Sequence, residues 1–251
     1  MVWQVVWPFL AYEGISQILY FLTAPLIGAM GTMLAAALLT AGVLYPCYRN
    51  RLLRQRRRAG YSWTLRMDFA GAAPLILGLA ISSGILVNML VAMSGLSRYS
   101  EAYQEVGEAL FGVSVWLQVL VMAVAAPLVE ELIFRGLAYE RLRKEMGVLP
   151  AAVLSALLFG LSHGNLMQGV YGFLLGILLA LVYEHFQGLA SSMLFHAGAN
   201  LASILLNLFL AAFPSVAGFI GFPLILLAVS GAVFVFSLRR MYDRRARSVH
   251  S

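Results

Sequence analysis

Charge is what this sequence has least of. Only 11% of its 251 residues are Asp, Glu, Lys or Arg, where soluble domains carry about 25%. With 61% hydrophobic residues, that scarcity excludes an ordinary soluble domain. Cysteine is nearly absent too. Cys47 stands alone, so no internal disulfide is possible. Lysine is represented by Lys144 only. The apolar runs are continuous and do not alternate, which excludes a transmembrane β-barrel. No HExxH motif and no Ser–His–Asp arrangement is present. The N-terminus, "MVWQVVWPFLAYEG", has no basic region and no small-residue cleavage site, so the first hydrophobic segment is expected to stay as a helix.

What is present is a set of long apolar stretches. A helix needs roughly 20 apolar residues to cross a bilayer. The expectation is an all-α, polytopic transmembrane bundle of about eight helices. They fall at 3–22, 27–48, 69–93, 113–138, 148–163, 168–186, 189–208 and 216–238. No internal repeat or composition break divides the chain. It reads as a single transmembrane domain, 1–251, with a motif-bearing core at about 113–208.

The net charge of +6 is not spread evenly. "RNRLLRQRRR" (49–58), "ERLRKE" (140–145) and "RRMYDRRAR" (239–247) each follow an apolar stretch. With eight spans these segments share one side. The positive-inside bias makes that side cytoplasmic, with both termini. The segment 97–112, carrying Glu101, Glu105 and Glu108, falls outside. Basic residues confined to membrane edges point to a lipid bilayer as partner and away from nucleic acid.

Ionisable residues at membrane depth are rare and are either paired or functional. Glu131 and Arg135 in "PLVEELIFRG" are spaced i,i+4 and can pair on one helical face. Glu130 is about 100° away around the helix and is left to face a neighbour. Glu130 lies 17 residues before Gly147 and His163 lies 16 after it. Two antiparallel helices joined at "KEMGVLP" would therefore carry both at similar height. His196 and Asn200 in "MLFHAGAN" share another helical face. The Ala and Gly between them permit close approach of a helix or a substrate. Glu184 and His185 read as an interfacial pair. Gly172 and Gly176 form a GxxxG packing motif. Glu13 receives no role.

"EELIFR", "FGLSH" and "HAGAN" fit EExxxR, FxxxH and HxxxN, in that order. From about Pro127 to Asn207 the chain resembles the CPBP family: CAAX-prenyl proteases and bacteriocin-processing or self-immunity proteins, also called Abi. The resemblance implies an intramembrane endopeptidase with a site open toward the cytoplasm. Glu130 would be the general base and His163 would help hold and activate the water. His196 and Asn200 would bind the oxyanion, braced by Glu131 and Arg135. The substrate would be a membrane-associated protein or peptide tail.

A glutamate-dependent mechanism without a metal is favoured. Zinc on Glu130, His163 and His196 is the alternative. Arginine-rich, lysine-poor usage fits a prokaryotic plasma membrane. Two other functions compete: a non-catalytic scaffold or bacteriocin self-immunity protein, and a transporter or proton pathway.

Overall fold

A computed structural model describes residues 2–59, 69–95, 101–219 and 221–249. All the secondary structure described is helical. Helix α1 spans Val2–Ala59, α2 Phe69–Met93 and α3 Glu101–Phe111. Helix α4 runs Val115–Met146, α5 Val148–Leu161, α6 Leu166–Phe186 and α7 Leu189–Ala212. A single turn, Pro214–Ala217, leads to α8, Gly221–Val249. Six helical stretches are long and apolar enough to cross a membrane. The chain is an integral membrane helical bundle, as its composition predicts.

The first two expected spans are the two arms of α1. At Gly28 the backbone takes φ 72° and ψ 171°, a region essentially reserved for glycine. A straight helix would hold Thr23 and Thr32 about 13 Å apart along its axis. Their hydroxyls meet at 3.0 Å, so the helix folds back here. Thr23 also donates to Leu19 O and Thr32 to Gly28 O, each back-bonding one turn along its own arm. The fold-back returns the second arm to the level of the first. Val5 packs in one cluster with Ala138 and Tyr139, while Arg51 donates to Leu137 O at 2.8 Å.

That shared level defines an arginine-rich end of the bundle. Arg143 binds Glu184 through Nε and Nη2, and Tyr139 donates to the same carboxylate at 3.0 Å. His185 meets the rings of Phe186 and Tyr242. Glu184 thus pairs with Arg143 at this end of the bundle. Gly28, the α3–α4 link and the stacked rings of Phe209 and Phe222 lie at the opposite end.

Two expected elements differ. The expected span 148–163 is only fourteen residues of helix, Val148–Leu161, about 21 Å and too short to cross a roughly 30 Å core. The segment 97–112, read as a loop, contains α3. Val106, Gly107 and Leu110 turn one face of α3 inward, while Glu105 and Glu108 are exposed. Its inward-facing residues recur at helical spacing among the carboxylates Glu101, Glu105 and Glu108.

Helices α5 and α6 pack closely because small residues line both. A side chain at Gly160 would strike Gly169 O at 2.6 Å, and one at Gly176 would meet Ala156 Cβ at 2.9 Å. Helices α2 and α7 meet through Ala80 and Gly84 against Gly198 and Ala199. Small residues substitute here for the hydrophobic drive that lipid does not supply.

Candidate active site

Glu130 and Glu131 sit on a short α-helical stretch, Ala126–Glu131, between two wider-wound stretches, Val119–Ala125 and Leu132–Tyr139. In these the hydrogen bonds reach back five residues: Ala126 N–H donates to Val121 O, and Glu140 N–H to Arg135 O. Such π turns are rare and recur at functional sites. Here the winding has a traceable consequence. Met122 O loses the Ala126 donor to Val121, and the next residue along is Pro127, which has no N–H. Asn200 on α7 fills the gap, donating Nδ2 to Met122 O at 2.7 Å. The HxxxN helix is thereby anchored to the EExxxR helix.

Glu131 and Arg135 are fully buried and 3.0 Å apart. Arg135 also donates Nη2 to Gly176 O at 3.0 Å, and its guanidinium lies 4.7 Å over the Phe159 ring. The Glu131 atom that binds Arg135, Oε1, accepts a second hydrogen bond from His196 Nδ1 at 2.9 Å. A carboxylate oxygen in both bonds fixes the proton on Nδ1. The other ring nitrogen, Nε2, therefore faces Glu130, 3.6 Å from Oε2. That gap exceeds a hydrogen bond, and one water can bridge both groups from the side. Glu130 keeps 17% of its side chain exposed, against 6% for His196.

His163 follows the end of α5 and directs Nδ1 to Phe159 O at 2.8 Å. The carbonyl can only accept, so the proton sits on Nδ1 and Nε2 is left as an acceptor. Phe159 stands between the two histidines, its ring edge-on to His163 at 4.9 Å and to His196 at 5.6 Å. A side chain at Gly172 would press on the His163 ring at 3.2 Å. The GxxxG motif thus packs helices and also makes room for His163 and Arg135.

Glu130, His163, His196 and Asn200 all line one cavity of about 490 Å³. Asn88 lines it as well and donates to Ser203 Oγ on α7 at 2.9 Å. Three contributors were not legible as such. Phe159 belongs to FxxxH but drew attention only to its histidine. Tyr12 and Glu13 reach the cavity from the first arm of α1, and Glu13 within an apolar run was the available signal. Among the described residues, no three His, Cys, Asp or Glu side chains cluster closely enough to hold a metal ion.

Residues 112–202 match a family model described as type II CAAX prenyl endopeptidase Rce1-like. The matched segment contains all three motifs, and the resemblance to the CPBP/CAAX protease family is borne out over it. No match to the chain was found among curated proteins, and none among solved structures.

Proposed function

With an Rce1-like CAAX endopeptidase domain at residues 112–202 of a membrane bundle, we propose that this protein is an intramembrane endopeptidase. It hydrolyses a peptide bond in a membrane-associated protein or peptide. The observation that carries the reading is the relay Arg135–Glu131–His196, which aims His196 Nε2 at Glu130 on the wall of a cavity.

Glu130 takes a proton from a water held between it and the His163 Nε2 acceptor. The hydroxide adds to the scissile carbonyl. In its imidazolium form, with the Nδ1 proton held by Glu131, His196 donates a hydrogen bond from Nε2 to the developing oxyanion. Asn200 spends one Nδ2 hydrogen on Met122 O and offers the second to the same oxygen. Donors placed this way contribute about 3 kcal/mol each to lowering the barrier. Glu130 then returns its proton to the leaving amine. Glu131 and Arg135 touch no reacting atom; they hold the ring of His196. The bundle sits in a plasma membrane, with its arginine-rich end and both termini in the cytoplasm.

The test is cleavage of a quenched-fluorescence peptide library by the purified protein, with and without an exhaustive chelator. Wild type should cleave, in chelator as well as without it. Glu130→Gln and His163→Ala should lose at least about 100-fold of that rate, the usual range for general-base catalysis. Activity abolished by chelation and restored by stoichiometric zinc would sink the metal-free mechanism.

A further inference from the structure

The two ends of the bundle are packed differently. Between Glu130 and the arginine-rich end the interior is solid. Leu179 and Phe195 form the cavity's floor, and behind it Leu132, Ile133 and Phe134 are each 2% exposed or less, as is Tyr139 beyond them. The buried Arg135 fills the remaining polar position. Toward the other end the lining is open. From Glu130 and His196 the cavity continues along Tyr12, Gln17 and Tyr20 of α1, past Asn88, to the inner face of α3. On α1 these positions lead from mid-helix toward the Gly28 tip, away from Arg51. Gln17 and Tyr20 are exposed. The α5–α6 turn lies on the same side, because α5 stops part-way through the bundle.

We propose that the site is entered from the arginine-poor end, past α3 and the tip of α1. Resting on the protease reading and on the positive-inside orientation, this assigns the enzyme peptide segments presented on the outer side of the membrane. It is the reverse of the cytoplasmic opening that the family resemblance implies. A cytoplasmic peptide would have to displace the packed residues 131–139, among them the buried Glu131–Arg135 ion pair. An outer peptide meets an existing cavity. α3, with apolar residues inward and Glu105 and Glu108 outward, is built to lie in the interface at that mouth.

The experiment is sided labelling in a Cys47→Ser background with a membrane-impermeant maleimide. Gln17→Cys and Ala109→Cys report the mouth, and Arg54→Cys reports the arginine-rich end. The mouth positions should label in intact cells, and Arg54→Cys only in inverted vesicles. A bulky maleimide added from outside to Gln17→Cys should also abolish peptide cleavage by the reconstituted protein. Mouth positions that label only in inverted vesicles overturn the proposal. So does labelling of all three positions from one side. The labelling readout needs no proteolysis, so it stands or falls separately from the Glu130 mechanism; cleavage that survives the bulky adduct also contradicts entry at this mouth.

Discussion

His196 and Asn200 are each held by a bond that can be removed singly, and the bonds predict different failures. Glu131→Gln removes the carboxylate that orients His196 and leaves Arg135 buried without its counter-charge. Losing one partner of a buried pair costs about 3–5 kcal/mol. The melting temperature in detergent should fall sharply, and the surviving protein should show reduced kcat. Replacing both members, Glu131→Gln with Arg135→Met, should recover part of the stability but none of the activity. Asn200→Ala strands Met122 O, at about 1–3 kcal/mol. It should lower the melting temperature and the turnover together, whereas Glu130→Gln should lower turnover alone. The short motifs made Glu130, His163, His196 and Asn200 legible in the sequence. The dependence of Asn200 on Pro127 was not, because it arises from a π register that periodicity does not announce.

At the scale of helices, glycines decide how closely the site is drawn together. Gly176→Ala would place a methyl group 2.9 Å from Ala156 Cβ and 3.3 Å from Arg135 Nη2. Overpacking of this kind costs about 1–3 kcal/mol. Thermal unfolding should show that loss, with activity falling further because Arg135 is displaced. Gly28→Ala forces a side chain into a backbone region that only glycine occupies, at about 1–3 kcal/mol, although nothing crowds its position. Its melting temperature should drop while Glu130-dependent cleavage per folded molecule persists. The GxxxG was legible as a packing motif. Its second use, clearing space for His163 and Arg135, depends on which residues face it across α5 and α4. No one-dimensional pattern carries that information.

For the whole molecule, composition alone gave an all-helical membrane bundle, because a chain this poor in charge has few other ways to satisfy its backbone in lipid. Six stretches meet the length for crossing, and the arms of α1 account for two of the expected eight helices. The amphipathic α3 escaped the reading because it falls below the hydropathy length of a span, whereas α5 was expected at 148–163 and ends at Leu161. They are also the elements that leave the cavity open at one end. The central claim is that Glu130 activates water for peptide hydrolysis. It is tested most directly by mass spectrometry of products formed in heavy-oxygen water, comparing wild type with Glu130→Gln reconstituted in liposomes. The account predicts that wild type yields fragments with heavy oxygen in the new carboxyl terminus. It predicts that Glu130→Gln, with an unchanged melting temperature, yields none above background. Equal cleavage by both proteins would contradict it.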